Sequence, residues 1–133
     1  MIRKRCAILA DGFYEWKKDT NKQPYYITLT SGSTFAFAGL WDTWKSLKGE
    51  PYHSCTIITT EACRQIIDIH DRMPIILKPD YVDAWLDTEN EEPVSLESIL
   101  REGHEEDFNI RPVSKYVNSP RNNDEKCIEE VQS

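Results

Sequence analysis

Tyr25-Tyr26-Ile27-Thr28-Leu29 and Phe35-Ala36-Phe37-Ala38-Gly39-Leu40-Trp41, separated by Thr30 to Thr34, decide the fold class. Aromatic and β-branched side chains in short runs fit a pleated, half-buried surface. Ser31-Gly32-Ser33 is a turn signal, so the two runs are expected to pair as a β-hairpin. Upstream, Cys6 to Leu9 is a short apolar run closed by Ala10-Asp11-Gly12, and Phe13 to Trp16 is a second strand candidate. Lys17 to Lys22 is polar and makes a loop.

Downstream, residues 42–51 are expected to connect to a β-branched run, Ser54 to Thr60, taken as a central strand. Glu61 to Ile69 is expected to be helical, with Ile66 and Ile69 on one face and Thr59 or Thr60 as N-cap. Pro74 ends that segment, because the residue before a proline avoids the helical region. Ile75 to Leu77 is a short strand, Pro79 opens a helix over Asp80 to Leu86, and Ser95 to Leu100 holds another. Phe108 to Val113 and Lys115 to Val117 are late strands, and Cys127-Ile128 offers a last short pairing. Strands dominate and helices come late. The expected fold is α+β: a mixed, largely antiparallel β-sheet or barrel-like core with a few short helices.

The 133 residues are expected to form a single domain, 1–133, with 119–133 as a loosely ordered tail. The 4 Trp, 6 Tyr and 4 Phe are too many large rings for a disordered chain. No span approaches the ~20 apolar residues of a membrane helix. The apolar run after Arg3-Lys4-Arg5 is too short for a secretory signal, so the protein is expected to be cytoplasmic. Cys6, Cys55, Cys63 and Cys127 form no CxxC pair and are expected to be reduced. His53 and Cys55 have the spacing of two metal ligands on one strand face, but no second pair follows. No metal or organic cofactor is expected.

Net charge is −7. Residues 1–86 are close to neutral, and the acidity lies in residues 87–133. The overall charge therefore neither requires nor forbids a nucleic-acid partner, and local geometry decides.

Two stretches can carry chemistry. In Asp11-Gly12-Phe13-Tyr14-Glu15-Trp16, a carboxylate lies between two large rings just past a glycine turn. Loss of hydration there would raise its pKa and suit a general acid or base. The plain alternative is a solvent-facing strand Glu, since alternation puts Tyr14 and Trp16 on the opposite face. In Ile69-His70-Asp71-Arg72-Met73-Pro74, the His titrates near neutral pH, Asp71 can orient its ring, and Arg72 can hold a phosphate. The plain alternative is a helix C-terminus, with His70 and Arg72 set against the helix dipole. Trp41 and Trp44 read either as core and rim packing or as a base-stacking platform.

RCAILADGFYEWKK, KQPYYITL, FAFAGLWDTW, CTIITTEA, IHDRMPIIL, AWLD and the segment Pro112 to Asp124 occur in that order. With these stretches the chain resembles the SOS-response-associated peptidase (SRAP) family, the abasic-site processing proteins. The resemblance implies a sensor of abasic sites in single-stranded DNA. The family's N-terminal cysteine captures the ring-opened deoxyribose aldehyde as a thiazolidine, leaving a covalent DNA–protein crosslink. It also implies acid–base roles for Glu15 and His70, and places Trp16, Thr59 and Arg72 along the DNA channel. This chain starts Met1-Ile2-Arg3 and not Met-Cys, and it lacks the family's upstream Asn/Arg/Glu segment. It is therefore expected to match the C-terminal part of the domain, keeping the acid–base half of the site and lacking the nucleophile. Cys6 has no free α-amine beside its thiol. A non-catalytic DNA-binding relative and a thiol (auto)peptidase are the alternatives. The oligomeric state is left open.

Overall fold

The computed structural model describes residues 4–131; Met1, Ile2 and Arg3, which bear on the missing-nucleophile expectation, lie outside them. The elements in order are β1 (Arg5–Ala10), β2 (Phe13–Trp16), β3 (Pro24–Leu29), β4 (Phe35–Lys45), β5 (Pro51–Ile57), β6 (Thr59–Glu61), β7 (Arg72–Pro74), β8 (Ile76–Leu77), α1 (Pro79–Leu86), α2 (Pro93–Glu102) and β9 (Phe108–Pro112). Two 3₁₀ turns follow, Lys115–Asn118 and Glu125–Ile128. The fold is α+β with antiparallel ladders. The two larger sheets are open, so the barrel-like form is not adopted. No helix among the described residues is long and apolar enough to cross a membrane.

The chain divides into two compact units. The first takes residues up to Ala10, Phe35–Thr60 and Pro74–Glu105. Its sheet runs β1-β4-β5, with β8 also on β4. Ala38, Ile75, Leu77, Trp85 and Leu96 form its core, with Leu40, Val82, Ile99 and Leu100 packed around them. Pro79 at the first turn of α1 gives up an N–H that has no helical partner there. That helix delivers Trp85, whose indole N–H donates to the Cys6 carbonyl at 3.0 Å. Arg5 is buried. It donates to the carbonyls of Trp85, Asp87 and Asn90.

The second unit takes Asp11–Thr34, Glu61–Met73 and residues from Glu106 onward. Its sheet is β2-β3-β9. Ile27, Leu29, Ile66, Ile69, Met73, Phe108, Val113 and Cys127 are buried here. Of the stretch 119–133, Asp124 accepts from Tyr116 Oη at 2.8 Å, and Val113 bridges Glu130.

Several expected elements differ. The hairpin of Tyr25–Leu29 with Phe35–Trp41 does not form. β3 pairs with β2 and β9, while β4 pairs with β1, β5 and β8. The turn at Gly32 exists (φ +75°), but it carries the chain out of one sheet and into another. Phe35 to Gly39 are all buried, and a strand covered on both faces takes the centre of a sheet. Ser54 to Thr60 is correspondingly not central: β5 is an edge strand, exposed at all seven residues. Residues 42–45 extend β4 and are not loop.

Glu61 to Ile69 is not a helix. Its first donors are spent across the chain, the Ala62 N–H on the Asp71 carbonyl at 2.9 Å and the Cys63 N–H on Met73 Sδ at 3.4 Å. The few residues left make turns, too short a run to repay helix nucleation. The buried face of Ile66 and Ile69 is as expected. Lys115 to Val117 forms a 3₁₀ turn capped by Ser114, not a strand, and Cys127-Ile128 lies in the second 3₁₀ turn.

Candidate active site

The site is built on the hairpin of β2 and β3. Tyr14 pairs with Tyr26 and Glu15 with Tyr25. Alternation sends Tyr14 and Trp16 to one face, their rings 6.1 Å apart, and Glu15 to the other. That other face is not open water. The loop carrying His70 lies over it, because the Lys18 N–H bonds the Ile69 carbonyl at 3.3 Å. Glu15 Oε2 lies 4.0 Å from His70 Nδ1, with 20% and 28% of the side chains exposed. Burial pushes the Glu15 carboxyl above the usual range, and the charges of His70 and Lys18 only partly offset that. Glu15 is therefore a mostly buried carboxyl whose neutral form burial favours, although the rings that flank it in sequence lie on the opposite strand face.

His70 Nδ1 sits 3.1 Å from both the carbonyl and the amide nitrogen of Arg72. When protonated, Nδ1 donates to that carbonyl; when deprotonated, it accepts the Arg72 N–H. The ring is thus held by backbone in both states, and Nε2 is left uncommitted among the described residues. Asp71 Oδ1 is 3.3 Å from Nδ1 but is engaged by Lys18 Nζ at 3.1 Å. That hydrogen bond from Lys18 holds the Asp71 carboxyl below its usual range. The helix C-terminus alternative for His70 and Arg72 does not apply, since no helix precedes them.

Glu15, Trp16, Lys17, Lys18, Lys22 and His70 line a cleft of about 280 Å³. Trp16 donates its indole N–H to Asn118 Oδ1 at 2.7 Å and keeps 38% of its surface exposed. Arg72 is exposed at the start of β7. Thr59 is exposed and belongs to the first unit, and it is not among the residues lining this cleft. The structure therefore brings Glu15, His70 and Trp16 together. The lysines were missed because a polar Lys17–Lys22 loop looks like ordinary solvated turn. The available signal was their density directly after the Glu15-Trp16 pair in an acidic chain.

No group of three or more His, Cys, Asp or Glu among the described residues is arranged to hold a metal. His53 Nδ1 is instead 2.9 Å from Thr43 Oγ1. Trp41 and Trp44 are 38% and 52% exposed and outside the core.

Residues 1–120 match the family described as SOS response associated peptidase (SRAP). The chain belongs to the SRAP family. It is 44% identical over 131 residues to the abasic site processing protein YoqW of Bacillus subtilis, covering 97% of this chain and 58% of that one. It is 36% identical to the rat abasic site processing protein HMCES, covering 94% of this chain and 43% of that one. The chain thus spans about half the length of these relatives. A crystal structure of a Bacteroides thetaiotaomicron protein has the same fold, with a TM-score of 0.85 at 26% identity, covering 98% of this chain and 58% of that one. A phage-related protein of Bordetella bronchiseptica is 35% identical with a TM-score of 0.66, covering 85% of this chain and 55% of that one.

Proposed function

We propose that this SRAP chain carries the proton-transfer part of a site that processes abasic sites in single-stranded DNA. The observation that carries the reading is the 4.0 Å approach of Glu15 to His70 in a lysine-lined cleft. The relatives, named abasic site processing proteins, support the choice of substrate.

An abasic deoxyribose is mostly a closed hemiacetal. Opening it breaks the C1′–O4′ bond, and the electron pair goes to O4′. A proton must reach O4′ while the C1′ hydroxyl loses its own. Burial raises the Glu15 pKa and so favours the protonated carboxyl, the form that can donate to O4′. His70 serves the following imine step: an amine adds to the aldehyde carbon, and water leaves with a proton from the imidazolium. The covalent crosslink and its hydrolytic reversal belong to this proposal, as does a place in the DNA damage response. Cytoplasmic location, on the nucleoid when DNA is bound, follows from it. The attacking amine and thiol are assigned to no residue of this chain.

The test supplies the nucleophile from outside. Free cysteine is mixed with a labelled single-stranded oligonucleotide holding one abasic site, with and without the protein, and thiazolidine formation is timed. The protein is expected to accelerate trapping on the abasic strand. Binding without acceleration would favour a non-catalytic DNA-binding role, and cleavage of a peptide panel would favour a peptidase.

A further inference from the structure

We infer that the tip of the β2–β3 hairpin, Lys17, Lys18 and Lys22, is a phosphate-binding lip that seats a phosphodiester of the DNA strand beside Glu15. The identity of the polymer rests on the reading above; the subsite itself does not.

Three lysines line one cleft with Glu15 and His70 in a chain of net charge −7. The tip is set by its own backbone. The Lys17 N–H bonds the Gln23 carbonyl at 3.0 Å, which extends the β2–β3 ladder by one rung. That rung puts Lys17 on the same strand face as Glu15, about 6.8 Å along. Asp19 Oδ1 accepts the N–H groups of Asn21 and Lys22 at 3.0 and 2.8 Å. The Asp19 carboxylate is thereby turned to its own turn. Lys22 sits in the left-handed region (φ +49°), where a non-glycine residue is uncommon. Lys115 Nζ holds Asn21 Oδ1 at 2.8 Å on one side, and Lys18 holds Asp71 at 3.1 Å on the other. Among the described residues, neither Lys17 nor Lys22 is within ion-pair distance of a carboxylate. Two uncompensated ammonium groups on a braced turn next to a proton donor suit a tetrahedral oxyanion. A phosphodiester there would lay the adjoining sugar over Glu15.

The experiment has two arms. In the first, binding of a single-stranded oligonucleotide with a tetrahydrofuran abasic analogue is measured against salt. The proteins are wild type, Lys17→Gln with Lys22→Asn, and a Lys45→Gln with Lys48→Gln control. Asn tolerates the left-handed position, so the turn survives. Each phosphate contact contributes about −0.7 to the slope of log affinity on log salt for single strands. The tip variant is expected to lose roughly 0.7 to 1.4 of that slope, and the control none. In the second arm, the amide signals of residues 17–23 are followed by NMR during titration with thymidylyl-thymidine or with inorganic phosphate. The dinucleotide is expected to shift them and the tip variant to abolish the shift. A shift with the dinucleotide but no binding of the abasic strand would sink the abasic reading and keep the lip. An equal slope loss in the control, or a response to inorganic phosphate alone, would overturn the lip. Acceleration of trapping without any tip response would overturn the lip and keep the abasic reading.

Discussion

Glu15 Oε2 and His70 Nδ1 lie 4.0 Å apart, brought from a strand and a distant turn onto one face of the β2-β3-β9 sheet. The gap is too long for a direct hydrogen bond, and Nδ1 is engaged by the Arg72 backbone. The atoms of the pair open to a substrate are thus the Glu15 carboxyl and His70 Nε2.

The raised pKa of Glu15 has a stability consequence. The unfolded chain ionises this group near pH ~4.3, the ordinary value for Glu. The folded state holds its proton to a higher pH. Stability is therefore lost as pH climbs from the unfolded pKa to the folded one, and it stays lost above that. Glu15→Gln removes the ionisation. Its melting temperature should exceed wild type at pH 8, and the gap should close below about pH 4. Thermal scans across pH check this; an equal gap at pH 4 and 8 contradicts it.

His70→Ala and Arg72→Ala should separate chemistry from binding. The His70 ring is held by the backbone of Arg72, which survives loss of the Arg72 side chain. Loss of His70 should slow trapping by about 10²-fold or more, the low end for acid–base help, with DNA affinity nearly unchanged. Arg72→Ala should weaken binding and flatten its salt dependence by about 0.7 while the trapping rate at saturation persists. Anisotropy titrations paired with single-turnover trapping report both.

Trp16 is braced by Asn118 through a 2.7 Å hydrogen bond, yet one part of its ring stays exposed. Stacking of a base on it would contribute roughly 1–3 kcal/mol. Trp16→Ala should lose about that much affinity for the single strand, and Trp16→Phe should recover most of it. Unchanged affinity in Trp16→Ala would show that no base stacks there.

Gly12 is a close-approach glycine. A Cβ there would meet the Tyr26 ring at 2.5 Å. That ring cannot retreat easily, with Tyr14 at 5.1 Å and Arg111 at 5.3 Å from its centre. Gly12→Ala should cost about 1–3 kcal/mol as overpacking, read from the urea midpoint.

Arg5 gives a contrasting expectation. It is 7% exposed and satisfies the carbonyls of Trp85, Asp87 and Asn90. Arg5→Ala should therefore destabilise the protein by several kcal/mol, because buried carbonyls lose their donors. It should leave the salt slope of DNA binding alone, which the denaturation and titration curves test separately.

Much of this was legible in the chain. Phe13–Trp16, Phe35–Trp41, Phe108–Val113 and the Pro79 helix are contiguous runs whose local signals agree with their final state apart from a few residues at their ends. GFYEW and HDRMP supply Glu15 and His70, the two side chains that the fold sets 4.0 Å apart. What the chain hid were choices made between distant residues. The turn at Gly32 announces a bend but not which strand lies beyond it. The donors of Ala62 and Cys63 go to Asp71 and Met73, which no helical periodicity at 61–69 could reveal. The lysine tip looked like solvent-facing loop because only the fold lays it beside His70.

The most direct test of the central claim is a double-mutant cycle on abasic-strand trapping with free cysteine, using Glu15→Gln, His70→Ala and the double variant. If the two groups serve one sugar as a unit, each single variant loses most of the acceleration and the double is little slower than the worse single. If their effects add fully, or if either variant traps at the wild-type rate, the shared site does not exist.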